Sequence, residues 1–343
     1  MFEELFEQWD GEEAVVRYDH ESGAWMFVCV HSTVLGPAGG GTRLRVYPTP
    51  LEGLADAMKL SAAMTVKMAG AGLGRGGGKA VLAVTALPTG EARRKLLLRY
   101  GDLVESLGGT YRTAGDMNIT PEDLDVVKER SQYVYGTTGG GGNSARGTAI
   151  AVHAGLRASV EQVFGSPDLA GRSVNVQGAG SVGADLIRLL QADGADVFVS
   201  DVDEARARAT GATVVAADTV YDTECDVYSP CAIGGTINAD TIARLRCRIV
   251  AGSANNQLAE PHDSKRLHER GILYAPDFII NAGGVIQLVG LEDRGWGEDE
   301  LQRNLRAVGD TLREIYARGG DPADAAEQLA AERIAQKRDE ALA

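Results

Sequence analysis

The stretch VNVQGAGSVGADLIRLLQADGADVFVSD, residues 174–201, decides how the chain folds. A short apolar β-type run leads directly into Gly178-x-Gly180-x-x-Gly183, a helical stretch follows, and a second β-type run ends at Asp201. Gly178 allows a tight turn, Gly180 lets backbone approach a pyrophosphate, and Gly183 lets the helix pack close against the strand. The first turn of that helix presents unpaired N–H groups to the phosphates. In a chain with 44 glycines a bare GxGxxG carries little weight, but here strand, helix and acid coincide. Gly178, Ala179, Gly180, Ser181, Val182 and Gly183 are therefore expected to hold a dinucleotide. Asp201, with Val202 beside it, is expected at the adenosine ribose, where a carboxylate accepts from the hydroxyls and repels a 2′-phosphate. NAD is thus preferred over NADP.

Further β-type runs follow, CDVYS, CRIVAG and ILYAP, separated by helical stretches. That alternation predicts a parallel sheet with crossover helices, and the strands stop beyond Asn281, leaving helices over about 298–318 and 321–340. Upstream the pattern differs. AVVRY and WMFVCV flank the turn-like HESG as a hairpin, and Thr49, Pro50 and Glu52 announce a helix by a capping box and a proline at its first position. A strand KAVLAV, a helix over EARRKLLLRYGDLVESL and a further helix announced by Thr120 and Pro121 complete this half. The glycine-rich TTGGGGNS, residues 137–144, marks the boundary.

The fold class is accordingly α/β in two domains with a cleft between them. Residues 1–140 form an α/β domain and residues 141–319 a Rossmann-type doubly wound domain, and the last helix, about 320–343, is expected to pack back on the first. A net charge of −14 disfavours nucleic acid and anionic membranes, which recruit Lys and Arg, and leaves a small molecule as the expected partner. The start, MFEELFEQWDGEE, lacks the basic and apolar regions of a signal peptide. Cys29, Cys225, Cys231 and Cys247 form no CxxC pair and have no nearby histidines, so neither a metal nor a disulfide framework is expected. A cytoplasmic protein with reduced thiols is the expectation.

Two lysines stand out in MTVKMAGAGLGRGGGKAVL. Lys67 is the only charge between Leu60 and Ala71, on a helix apolar almost all round, so it needs a partner, a purpose, or a path by which to snorkel to the surface. Lys79 follows across a glycine turn that is not a Walker A loop, because Leu73 occupies the first glycine position and Ala80 replaces the magnesium-binding Ser or Thr.

At these residues the chain resembles the glutamate, leucine, phenylalanine and valine dehydrogenase family. STVLGPAGGGTR, KLSAAMTVKMA, GRGGGKAVL, YRTAGDMN, CDVYSPCAIGG, VAGSANNQLAE and GILYAPDFIINAGGVIQLVG carry the resemblance over nearly the whole chain. WDGE, AMTVKMA and the LVG after NAGGVIQ are most similar to the actinobacterial phenylalanine dehydrogenase type. The resemblance implies a homo-oligomer (dimer, tetramer or octamer) built through the first domain, and reversible oxidative deamination of an L-amino acid to the 2-oxo acid, ammonia and NADH. It implies that Lys67 binds the substrate carboxylate, Lys79 is the general base and Asp116 relays protons to and from the amine. It further implies that Asn256 contacts substrate or cofactor, that Ser144, Thr148, Ala232 and Ala254 line the cofactor, and that Gly40 and Gly41 let backbone approach the substrate.

Chemistry supports these roles. Water must attack an α-imino acid, so a base able to be neutral at about pH 8 is needed, and a lysine beside a second ammonium, desolvated by a closed cleft, meets that need. Taken singly, Asp116 could be a turn residue and Asn256 could serve loop backbone. In the resemblance the side-chain pocket falls on Gly39, Ala114, Val285 and Leu288. All are apolar or lack a side chain, which argues against glutamate. Gly39 leaves space for an aromatic substrate, and the reading is phenylalanine, with leucine or valine as the alternative. Arg75 and Arg146 are unexpected near the site, and both are read as solvent-exposed. A hydroxy-acid dehydrogenase and a silent NAD-binding protein are the rivals; the paired lysines and Asp116 argue against both.

Overall fold

The computed structural model describes residues 2–342. They form two compact units. The first holds the chain up to Asn143 together with Leu288–Gly295 and the residues from Ala330 onward; the second holds Ser144–Gln287 and Trp296–Leu329.

The first unit runs α1 (Phe2–Trp9), β1 (Glu13–Asp19), β2 (Ala24–Ser32), β3 (Ala38–Val46), α2 (Pro50–Gly70), β4 (Gly76–Val84), α3 (Gly90–Ser106), β5 (Tyr111–Gly115) and α4 (Pro121–Lys128). Its sheet has the order β1-β2-β4-β3-β5, with β1 and β4 antiparallel to β2, and β4 and β5 parallel to β3. Side-chain alternation sorts the strands onto two faces. Ala80 and Leu82 of β4 pack with Leu96, Leu97 and Tyr100 of α3 and with Leu124 and Val127 of α4. Val81 and Ala83 join Phe27 and Cys29 beneath Leu54, Ala57 and Met58 of α2. Lys79, one alternation before Val81, therefore belongs to the α2 face. Thr49 caps α2 by accepting from the Glu52 N–H, with Pro50 at the first position, and Thr120 caps α4 in a box with Asp123.

The second unit begins with α5 (Ala145–Phe164) and continues β6 (Ser173–Gln177), α6 (Ser181–Ala192), β7 (Asp196–Ser200), α7 (Glu204–Ala209), β8 (Thr213–Val214), β9 (Val227–Pro230), α8 (Ala239–Arg244), β10 (Ile249–Val250), α9 (Asp263–Glu269), β11 (Leu273–Tyr274) and α10 (Asp277–Ile280). Then come α11 (Gly283–Glu292), α12 (Glu298–Ala317) and α13 (Pro322–Leu342). The sheet is parallel throughout, in the order β11-β10-β9-β6-β7-β8. From β6 the chain winds outward to β8, then returns to the other side of β6 at β9. That reversal makes the doubly wound switch point, and ligands bind outside the carboxyl ends of the strands that flank it.

Several elements go beyond the sequence reading. β3 was masked by its glycines, which are depleted in strands, and β5 by its shortness. α11 occupies residues where neither strand nor helix was expected. Its two leading glycines weaken helix propensity but are needed for close packing, since a Cβ on Gly283 would stand 2.2 Å from the Gly147 carbonyl oxygen. The end of α11 belongs to the first unit rather than to the nucleotide-binding domain, and α13 joins the first unit only from Ala330. There Arg333 donates to the carbonyls of Ala69 and Gly70 at the end of α2. No described helix is long and apolar enough to cross a membrane. Among the described residues no group of three or more His, Cys, Asp or Glu side chains is placed to hold a metal, and the four cysteines are free.

Candidate active site

On the α2 face of the first sheet, Lys79 points from β4 into a buried position, only 6% exposed. Its Nζ donates to Asp116 Oδ2 at 2.5 Å, just beyond the end of β5. The same oxygen accepts from Arg43 Nε at 3.2 Å, and Arg43 Nη1 reaches Asp56 Oδ2 at 2.9 Å, where the Tyr47 hydroxyl also donates at 2.5 Å. The site is thus a chain of alternating charges, Lys79, Asp116, Arg43 and Asp56.

Burial is the largest influence on the Lys79 ammonium and pushes its pKa down; Asp116 opposes this by charge and hydrogen bond without overcoming it, and Arg43 adds to the lowering. Burial raises the Asp116 carboxyl, but Lys79 and Arg43 outweigh it and hold the group below the usual carboxylate range. One cation that lowers Lys79 is the Arg43 guanidinium, which the sequence reading, expecting a second ammonium, did not single out.

The strand between β4 and β5 is β3, whose Gly39, Gly40 and Gly41 pair with Arg112, Thr113 and Ala114 of β5. A Cβ on Gly41 would lie 2.9 Å from the Asp116 Cβ, and one on Gly40 would lie 1.8 Å from the Gly78 carbonyl oxygen. Lys67 lies half-buried on α2, two residues past Thr65, whose backbone packs on Gly77 of β4. His31, on β2, bonds Thr65 Oγ1 through Nδ1 at 2.9 Å and serves packing there. Ala114 shares the β5 face of Asp116. The space over Gly39 is partly filled, since Met68 Cε stands 3.2 Å from where a Cβ would be. Val285 and Leu288 are half-buried one turn apart on α11.

Arg75 corrects the expectation of a solvent-exposed side chain. It is largely buried and ion-paired with Asp293, which also takes Arg112 at 2.9 Å. Arg146 is exposed on α5, along a groove of about 1110 Å³ with α6 and α12.

In the second unit the Gly178–Gly183 turn follows β6 at the switch point. Gly178 has φ 106° and lies against Ala232, just past β9, where a Cβ would come within 2.9 Å. A Cβ on Gly183 would stand 2.0 Å from the Gly178 oxygen, so α6 is seated directly on the turn. At Gly180 a Cβ would meet nothing within 4 Å, and α6 starts there without a side-chain cap. An open glycine, uncapped helix amides and the exposed Ser181 and half-buried Val182 form a cradle that fits a pyrophosphate. Asp201, at the end of β7, ties the turn by accepting from the Ala179 N–H at 2.7 Å, while Val202 is 99% exposed.

Ser144 and Thr148 of α5 flank Gly284 of α11. Ala254 donates its N–H to the Pro230 carbonyl at 2.9 Å. Asn256 has φ 50°, its side chain is exposed, and its carbonyl accepts from the Gly235 N–H. The loop's other polar groups are served instead by Gln257 and Asn281, whose side chains donate to the carbonyls of residues 252–254. These two, with Arg43, Asp56 and Tyr47, are site-building residues the sequence reading missed.

A mixed-sheet unit carrying a buried lysine–carboxylate pair, joined to a doubly wound unit with a nucleotide cradle, defines an oxidoreductase that acts on amino-acid CH–NH2 groups. Residues 199–340 match the Glutamate/Leucine/Phenylalanine/Valine dehydrogenase family and residues 16–138 its dimerisation domain, and the chain belongs to that family. It is 39% identical to a leucine dehydrogenase of Thermoactinomyces intermedius over 99% of this chain and 93% of that one. It is 42% identical to a valine dehydrogenase of Streptomyces virginiae over 95% and 94%. Among solved structures, L-tryptophan dehydrogenase from Nostoc punctiforme superposes with a TM-score of 0.87 at 36% identity, covering 99% and 100% of the two chains. The two enzyme relatives are named for leucine and valine, not for the phenylalanine expected from WDGE, AMTVKMA and LVG. Enzymes of this family use NAD(P).

Proposed function

We propose that the chain is an NAD-dependent dehydrogenase of branched-chain L-amino acids, interconverting leucine or valine with the 2-oxo acid and ammonia. The buried Lys79–Asp116 pair carries this reading. A dinucleotide held at the Gly178–Gly183 turn would supply the acceptor for the substrate hydride. The chain's residues manage the protons and the charges. Lys67 anchors the carboxylate. Lys79, its ammonium destabilised by burial, takes the proton from the water that attacks the imino carbon, and Asp116 passes a proton between that centre and the amine. Gly41 keeps the sheet beside Asp116 free of a side chain, and Gly40 lets β3 approach β4 closely.

Asp201 supports NAD over NADP, since its carboxylate would face a 2′-phosphate. Met68 over Gly39 supports a compact aliphatic side chain over an aromatic one, in keeping with the leucine and valine dehydrogenase relatives. The glycines, alanine, valine and leucine of the expected pocket offer no cation to a second carboxylate. We further propose that the chain is a homo-oligomer assembled through its first unit, the part that matches the dimerisation domain.

The test is a panel of 2-oxo acids with ammonia and NADH or NADPH, followed at the nicotinamide absorbance band. The branched aliphatic acids are expected to turn over fastest, with NADH. A preference for phenylpyruvate would restore the aromatic reading, and turnover that does not require ammonia would overturn the reaction class.

A further inference from the structure

Three consecutive residues at the end of α11, Glu292, Asp293 and Arg294, are each bound to a different part of the first unit. Glu292 Oε1 accepts from the N–H groups of Gly136 and Gly141 at 2.7 and 2.8 Å. Arg294 donates to the Leu73 carbonyl. Asp293, its side chain only 3% exposed, receives Arg75 and the Tyr135 hydroxyl on one oxygen and Arg112 at 2.9 Å on the other. The Arg112 guanidinium also lies 5.5 and 5.6 Å from the ring centroids of Tyr133 and Tyr135.

The donors come from the two strands that frame the site. Arg75 immediately precedes β4 and lies four residues before Lys79; Arg112, on β5, lies two residues before Ala114 and four before Asp116. These strands are separated by β3, which pairs Ala38 with Gly76 next to Arg75 and Gly39 with Arg112, and so offers no polar side chain there to brace them. Asp293 supplies that brace from outside the sheet. It is also the residue through which α11, carrying Leu288, is fixed to both strands.

We propose that Asp293 is a positioning residue for substrate selection: by clamping Arg75 and Arg112 it sets the distance between Leu288 on α11 and the strands that carry Gly39 and Ala114, and so the length of side chain accepted. The role rests on the proposed amino-acid dehydrogenase reading. Loss of the carboxylate leaves two guanidinium groups facing each other, which pushes the strand ends and α11 apart.

The experiment compares wild type, Asp293→Asn and Tyr135→Phe in reductive amination of 2-oxo acids of increasing side-chain size, with thermal melts and NADH titrations alongside. In Asp293→Asn the ratio of kcat/KM for large over small acids is expected to rise about tenfold, mainly through KM, the low end for a change of about one methylene of pocket space. NADH binding should not move. Tyr135→Phe, which removes one of the three donors, should shift the ratio in the same direction by less. Loss shared equally by all the acids, or a ratio unmoved in the variants that fold, overturns the role. Tyr135→Phe decides if Asp293→Asn does not fold. A wild type that turns over no 2-oxo acid overturns the functional reading and this role with it, whereas an active wild type with unmoved ratios overturns this role alone.

Discussion

Lys79 Nζ lies 2.5 Å from Asp116 Oδ2, although the strands that lead to them, β4 and β5, do not pair with each other. The lysine reaches across β3 where that strand has only glycines, so the absence of side chains on one strand makes the ion pair of its neighbours possible. An ammonium buried in this way is costly, and a single carboxylate compensates it only in part. The lysine is thereby left ready to lose its proton.

If that readiness is used for catalysis, Lys79→Ala should lower reductive amination by about a thousandfold, within the span of general-base effects. NADH binding, which depends on the second unit, should persist. Steady-state rates and a fluorescence titration check both halves, and a rate within about tenfold of wild type would sink the base assignment.

The two neighbours of the lysine act on it with opposite signs, which gives a pH test. The reaction needs the neutral amine, so the rate of deamination rises as pH passes upward through the Lys79 pKa. Asp116 raises that pKa and Arg43 lowers it. Asp116→Asn should therefore move the alkaline-rising limb of the profile to lower pH, and Arg43→Gln should move it to higher pH, whatever happens to the plateau. Shifts of the same sign in the two variants would show that the limb does not report this lysine.

The second sheet was legible in all but the two-residue β8 because its strands are short, apolar and buried on both faces: Val174, Val176, Val199, Val227, Ile249 and Val250 leave no other home for those runs. The first sheet was legible only at its hairpin and at β4. In β3 the run AGGGTRLRV hides its register, because glycines required by close backbone approach look like a loop. Lys67 and Lys79 stand out in the sequence as charges in an apolar and glycine-rich setting, whereas Asp116 entered only through the family resemblance; the structure pairs Lys79 with Asp116. Arg43 was not legible, since nothing local in TRLRVY marks Arg43, rather than Arg45, as the one that turns to Asp116. The burial of Arg75 was equally hidden, because its partner Asp293 comes from a helix end in the last quarter of the chain.

Two glycines predict opposite outcomes for the same substitution. Gly40→Ala places a methyl 1.8 Å from the Gly78 carbonyl oxygen, so β3 and β4 must separate, and destabilisation of about 3 kcal/mol, the upper end for overpacking, is expected in denaturant unfolding. Gly180→Ala meets no atom within 4 Å, so its stability should stay near wild type while NADH affinity falls, because the methyl occupies the approach of the phosphates. Equal melting of the two variants would contradict the close approach of Gly40, and unchanged NADH affinity in Gly180→Ala would remove the cradle.

Asp201 does two things that substitution can separate. Its Oδ2 accepts from the Ala179 N–H and its Oδ1 from the Asp203 N–H at 2.9 Å, so it shapes the glycine turn as well as setting the charge at the ribose position. Asn keeps one acceptor, enough for the Ala179 N–H that shapes the turn, and gives up the charge and the contact with the Asp203 N–H; Ala removes all of these. Asp201→Asn should therefore hold its NADH KM near wild type while the ratio of kcat/KM for NADH over NADPH falls about tenfold, or about 1.4 kcal/mol. Asp201→Ala should lose the same discrimination and also weaken NADH binding, because the Ala179 N–H is left without its partner. A ratio unmoved in Asp201→Asn would mean that the carboxylate serves the turn alone, and that selection between NAD and NADP is made elsewhere.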